Sequence, residues 1–235
     1  MMFKKLALMA ATAGMLLLSG CASIQQPVPV KPAFWQGKDQ GVAIVVPTLP
    51  KAVAMKVGNQ GLLDVAINSA LANPLETHLN SLDLSEFNRV AQKINDGLAA
   101  KGFSQVTIVN GFDLSKLQEF KDQKPGTGFA KQDFRPLAAS MNSGKAVVLK
   151  VMAAGTVRAY YGFIPLGAPS AKFMVEAQIV NLKDNSLEWY QNFDRTQPVA
   201  DPWDQSPNFP NVTNAVYQNV DAVVNDIVRE LTTKG

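Results

Sequence analysis

Apolar and polar positions are blocked along the chain, and the period of each block predicts an element. Gly41-Val42-Ala43-Ile44-Val45-Val46 is a short, β-branched apolar run closed by Pro47, the pattern of a buried strand. Gly58-Asn59-Gln60-Gly61 reads as a turn. Leu62, Leu63, Ala66, Ile67, Ala70 and Leu71 then recur at helical spacing until Pro74, and a further helical stretch covers 75–82. Asp83 or Ser85 can cap a helix with the stripe Leu84, Phe87, Val90, Ala91, Ile94 and Leu98, stopped by Gly102. A strand over 103–109, a turn at Asn110-Gly111, a short helix from Asp113 or Ser115 to Phe120, a polar break over 121–128 and a helix over 133–141 follow. Ala146 to Met152 predicts the next strand, extendable to Tyr161. Phe173, Val175, Ala177 and Ile179 alternate with Lys172, Met174, Glu176 and Gln178, and Leu187, Trp189 and Phe193 share one face of the next run. The polar turn Lys183-Asp184-Asn185-Ser186 makes the two a β-hairpin. Val216, Val220, Val223, Val224, Ile227 and Leu231 give a last amphipathic helix. This order predicts a mixed α/β fold (α+β in the broad sense): a mixed sheet with an antiparallel hairpin, helices packed on it, and a C-terminal helix.

The first 21 residues depart from that pattern. Lys4 and Lys5 precede an uncharged apolar run from Leu6 to Leu18, the layout of a secretory signal. The run has 13 residues, whereas a spanning helix needs about 20. Leu18-Ser19-Gly20-Cys21 resembles the bacterial lipobox. The resemblance implies cleavage between Gly20 and Cys21, a diacylglyceryl group on the Cys21 thiol, and acylation of the new amino group, palmitate being the usual kind of chain. Cys21 is the only cysteine, and a thiolate is the nucleophile such chemistry needs. Each buried acyl methylene contributes roughly 0.8 kcal/mol, so two or three chains anchor a protein stably. Ala22 in place of Asp implies, by the same resemblance, the outer membrane and a periplasm-facing domain. Residues 22–34, with Pro27, Pro29 and Pro32, read as a polyproline tether reaching roughly 40 Å. The expected organisation is a signal peptide over 1–20, a lipidated cysteine and tether over 21–40, and a single domain over 41–235.

Composition changes this picture mainly by exclusion. With 235 residues, 47% hydrophobic and 17% charged, the chain is neither disordered, collagen-like nor a polytopic membrane protein. Lys+Arg number 22 and Asp+Glu 19, a balance that gives no footprint for nucleic acid. One cysteine and one histidine exclude an intramolecular disulfide and a multi-histidine metal site. No metal or cofactor is expected.

Candidate chemistry is sparse. His78 is the sole histidine base, yet no G-x-S-x-G elbow supplies a nucleophile, so it reads as a surface or capping residue. Asp201 and Asp204 flank Trp203, a combination open to two readings, a sugar subsite or turn-forming acids. Lys124-Pro125-Gly126-Thr127-Gly128-Phe129 lacks phosphate-loop spacing and reads as a connector. The stretch 157–169 carries Tyr160, Tyr161, Phe163 and Ile164 among two glycines and two prolines. It is either a loop folded over one end of the sheet or an exposed contact surface, and in the second case those four residues are the candidate partner anchors.

From Gly41 onward, the element order resembles a loose group of bacterial envelope lipoproteins with a domain similar to the TolB amino-terminal domain. The group includes the curli secretion lipoprotein and lipoprotein activators of peptidoglycan synthases. Ala43-Ile44-Val45-Val46, Leu98-Ala99-Ala100-Lys101-Gly102-Phe103, Ala146-Val147-Val148-Leu149 and Asn185-Ser186-Leu187-Glu188-Trp189 carry the resemblance. It places no functional residue. The functional expectation is a non-enzymatic binding or assembly factor for a cell-envelope protein complex. The alternatives are a self-oligomerising secretion or surface-appendage component and a carboxylate-based glycan hydrolase using Asp201, Asp204 or a further carboxylate that the sequence pattern does not single out.

Overall fold

The computed structural model describes residues 24–123 and 126–233; Gly20 and Cys21, with the lipidation and cleavage expected there, lie outside them. The chain forms a mixed α/β structure on one seven-stranded sheet. The strands are β1 (Val42–Pro47), β2 (Val53–Asn59), β3 (Val106–Phe112), β4 (Lys145–Tyr161), β5 (Ile164–Pro165), β6 (Ser170–Asn181) and β7 (Leu187–Pro198). The helices are α1 (Pro32–Gln36), α2 (Leu62–Leu71), α3 (Asn73–Asn80), α4 (Arg89–Ala100), α5 (Leu137–Met141) and α6 (Pro210–Thr233).

β4 organises the sheet. Its first half pairs in parallel with β1, which pairs in parallel with β3; its second half pairs in parallel with β2. Along its other edge it pairs antiparallel with β6, and β6 with β7. A bulge between Val151 and Ala153 restores the inward direction of the side chains midway. At about 3.3 Å per residue, the 17 residues of β4 span roughly 50 Å. Lys145 and Tyr161 therefore mark two distant ends of the molecule, here the proximal and the distal end.

One face of the sheet is covered by α3, α4 and α6, whose stripes Val90, Ala91, Ile94, Leu98 and Val216, Val220, Val223, Val224, Ile227, Leu231 are buried against Ile44, Leu149, Phe173 and Trp189. Among the described residues, the opposite face is covered only at the proximal end, where Phe134, Leu137 and Ala130 pack on Ala43, Val45, Ala146 and Val148. β1 is buried along its whole length because it lies under both layers. Asn185, in the left-handed region (φ 66°), fixes the β6–β7 turn: it donates to the carbonyls of Ala130 and Gln132 and accepts from the Phe134 amide.

Several expectations are corrected. The tether reading does not hold for residues 28–37. Val28 exchanges two 2.9 Å backbone hydrogen bonds with Tyr190, Lys31 N donates to Glu188 O, and α1 buries Phe34 completely against the stacked ring of Phe103. The prolines suit an added edge strand, since Pro27 and Pro29 leave Val28 as the local amide donor. Gly58 and Asn59 belong to β2, and Asn110 and Gly111 to β3, rather than to turns. The helix expected to end at Phe120 is a single 3₁₀ turn, Leu114–Lys116, and the one expected from Asp133 begins at Leu137. The apolar positions of α2 do recur at helical spacing, but they face outward: Leu62, Leu63 and Leu71 are 95%, 73% and 75% exposed.

Candidate functional site

The distal end combines an exposed apolar surface with a cavity. Residues 157–161 are not a loop but the last turns of the pleat of β4. The chain reverses at Gly162 (φ 59°) and Phe163, and β5 returns antiparallel to Tyr160 and Tyr161. The reversal is held by Gly162 N donating to Asn59 O and Leu166 N donating to Ala159 O. Tyr161, Phe163, Ile164 and Leu166 are 53–67% exposed. Tyr160 is not an outward anchor: it is buried and forms part of the cavity wall. Alternation on a strand dictates this, because Tyr160 shares the face of Thr156 and Arg158 while Tyr161 takes the opposite one.

Helix α2 docks beside this hairpin in an unusual way. Its only buried residue is Asn68, whose Nδ2 donates to Gln60 Oε1 and Gly162 O. The one charged residue of the helix, Asp64, accepts from the Gly61 amide at the N-terminus. The helix is therefore polar where it meets the protein and apolar where it meets solvent, the inverse of an ordinary surface helix. Of thirteen exposed large apolar side chains among the described residues, eleven lie on β2, α2 or the 161–166 hairpin. Monomeric proteins rarely concentrate exposed apolar side chains in this way without a use for them.

Beneath it, α2, α3, β2, β4 and the 203–209 segment enclose a cavity of about 250 Å³. Tyr160, Phe163, Trp203 and Phe209 supply aromatic walls. Asn68 is among the residues that border it, and its Oδ1 is buried with no hydrogen-bond partner among the described residues. Lys56 and Arg158 also line it, and they sit directly opposite each other in the β2–β4 register. The Arg158 guanidinium lies 4.6 Å from the Trp203 ring centre and 5.8 Å from that of Tyr160, with Nε donating to Gly167 O. The cavity thus unites the two segments that stood out in the sequence, 157–169 and 201–204. Asp204 lines it but Asp201 does not, so the two-carboxylate arrangement of a glycosidase is not assembled there.

His78 lies on α3 and joins it to α6: its Nε2 is 2.7 Å from Thr213 Oγ1, which itself donates to Phe209 O, and its ring packs on Phe209. Burial lowers its pKa. Thr213 is spent as a helix-start hydroxyl, so this pair ties two helices rather than activating a nucleophile. Among the described residues no group of three metal-ligating side chains occurs, and no helix is long and apolar enough to cross a membrane. The inverted face of α2 and the orphaned Asn68 acceptor were not anticipated from the sequence; the isolated Asn in an apolar helical run was the only signal for them.

Neither a protein-family model nor a curated protein matches the chain by sequence. Among solved structures it is similar to the PelC dodecamer from Paraburkholderia phytofirmans, at 12% identity and a TM-score of 0.31, over 85% of this chain and 94% of that one. A DUF330 protein from Xanthomonas campestris is 13% identical with a TM-score of 0.35, over 90% and 95%. Lipoprotein GNA1162 from Neisseria meningitidis is 12% identical with a TM-score of 0.29, over 80% and 99%. These are bacterial proteins, one of them named as a lipoprotein, and at such scores the likeness assigns no role to this chain.

Proposed function

We propose that the chain is a lipid-anchored, non-enzymatic envelope protein that docks a partner protein on its distal end. The concentration of exposed apolar side chains on α2 and the 161–166 hairpin carries this reading. The lipobox-like Leu18-Ser19-Gly20-Cys21 supplies the anchor. Because Val28 pairs with Tyr190, and Lys145 Nζ lies 3.4 Å from Ala33 O, the chain enters the fold at the proximal end. The apolar end then lies roughly 50 Å along β4 from Lys145, on the side suited to a partner rather than to an anchoring bilayer. Anchoring in the outer membrane with a periplasm-facing domain follows from Ala22 after the cysteine.

The test substitutes Leu63→Glu together with Ile164→Glu. Both side chains are already exposed, so stability should change by less than about 0.5 kcal/mol. Proteins that co-purify with the full lipidated chain in mild detergent should be lost. Retention of every co-purifying protein by a folded double variant contradicts the reading. A second reading, self-association, is favoured by β2, an exposed strand hydrogen-bonded in the sheet to β4 alone. In that case the double variant would lose a multiple of the chain's own mass instead of a different protein.

A further inference from the structure

We infer that the distal cavity binds the carboxyl terminus of a peptide ending in an apolar residue. The inference rests on the docking reading above and names the part of the partner that enters. Three independent features of the cavity converge on this chemistry. First, Asn68 Oδ1 is an acceptor buried without a donor. A buried polar atom left in that state is costly, and both Asn68 N–H bonds already hold the α2 helix in place, so the side chain cannot turn to satisfy itself. A donor N–H or O–H brought into the cavity beside Asn68 would satisfy it.

Second, Lys56 and Arg158 are cross-strand neighbours of like charge. Like charges directly opposite one another repel. Neither cation forms an ion pair among the described residues, and neither comes within 4.0 Å of the Asp204 carboxylate, although all three line the cavity. The Arg158 Nε is engaged by Gly167 O, which fixes the plane of the guanidinium and leaves its terminal N–H groups for a ligand. An anion is the group that would relieve this pair.

Third, Tyr160, Phe163, Trp203 and Phe209 give the space between these polar groups an apolar wall. The volume, about 250 Å³, is close to the lower end of ordinary ligand pockets and suits one large side chain with its own backbone. A donor, an apolar body and a carboxylate in so small a space are the three parts of one C-terminal residue: its amide N–H, its side chain and its terminal carboxylate. A fatty acid supplies only the last two, and an internal peptide segment only the first two. Phe163 and Leu71 belong both to the cavity and to the exposed surface, so a chain end seated here continues onto the apolar patch.

The experiment titrates the full lipidated chain in mild detergent with acetyl-Ala-Gly-Phe bearing a free carboxylate, with the same peptide as its carboxamide, and with dodecanoate below its micellar range. Trp203 emission is the readout, and Trp203→Phe identifies its share of the signal. The acid peptide should bind and perturb Trp203, and the carboxamide should bind about tenfold more weakly or worse. Arg158→Gln and, separately, Lys56→Met should weaken the acid peptide while leaving the carboxamide unchanged; using both guards against a folding defect in either. Equal binding of acid and carboxamide, absence of binding, or dodecanoate binding as tightly as the acid peptide overturns the proposal. If the peptide fails while Leu63→Glu with Ile164→Glu still abolishes co-purification, docking stands and the chain-end assignment falls. If the peptide binds and that double variant changes nothing, the cavity assignment stands and the docking surface falls.

Discussion

Replacing Glu188 with Gln removes the anion of a buried ion pair and nothing else of comparable size. Lys145 Nζ lies 2.7 and 2.5 Å from the two Glu188 oxygens, and the side chains are 2% and 5% exposed. Glu188 Oε1 also accepts from Asn181 Nδ2 at 3.0 Å, so the row Lys145–Asn181–Glu188 crosses β4, β6 and β7. The same ammonium lies 3.4 Å from Ala33 O and 5.9 Å from the Phe34 ring centre, which couples the pair to the docked N-terminal segment. Breaking a buried pair by removing one partner costs about 3–5 kcal/mol, because the remaining charge is stranded. A ceiling comes from the alternative of folding with the lysine uncharged. Discharging an ordinary lysine at pH 7 costs about 4.6 kcal/mol, roughly 3.4 pH units at 1.36 kcal/mol each. Glu188→Gln should therefore lower unfolding stability by about 3–4.5 kcal/mol and Tm by roughly 10 °C, measured by urea and thermal denaturation. Lys145→Met with Glu188→Leu should recover most of the loss, since an apolar replacement of the whole pair leaves no stranded charge. A cost below about 1 kcal/mol for Glu188→Gln, or a double variant as unstable as the single one, refutes the reasoning.

Other substitutions probe the two ends separately. At Gly155 (φ 120°) an added Cβ would lie 2.2 Å from Val53 O and 2.6 Å from Val53 N, so Gly155→Ala forces β2 away from β4. It should cost about 2–3 kcal/mol and abolish hydrogen-exchange protection in β2 while sparing β1; intact β2 protection would contradict the register described. Burial first, and then the neighbouring Glu176 carboxylate to which it donates at 3.0 Å, push the Tyr190 hydroxyl up to about 12. A folded pKa above the unfolded value near 10 means that this stability is present below about pH 10 and is lost as pH rises toward 12. Tyr190→Phe should flatten that part of the stability profile and remove one late phenolate from the absorbance titration.

The sheet and its main covering helices were legible because period and burial agree there. Ile94, Leu98, Val220 and Val223 recur at helical spacing and are all buried, and the alternation of Phe173, Val175, Ala177 and Ile179 settles the register of the hairpin. β2 was not legible: it is an edge strand whose Val53 and Val57 are exposed, so no dry face exists to produce alternation. The spacing in α2 fixes a helix but not the direction in which its stripe points, and the inward residue is Asn68. Proline spacing over 27–32 suits both a free polyproline segment and an edge strand, and the pairing with Tyr190 decides between them. The candidate anchors Tyr161, Phe163 and Ile164 were visible as aromatic and apolar residues among turn formers. The inward turn of Tyr160 follows only once residues 145–161 are known to form one strand with a bulge.

The most direct test of distal docking is photo-cross-linking in cells from a reactive amino acid placed at position 164, beside a control placed at the exposed Lys116. The account predicts one discrete adduct from position 164, absent from position 116, and lost when Leu63→Glu is introduced. Equal, diffuse labelling from both positions, or an adduct that survives Leu63→Glu in a folded protein, would contradict it.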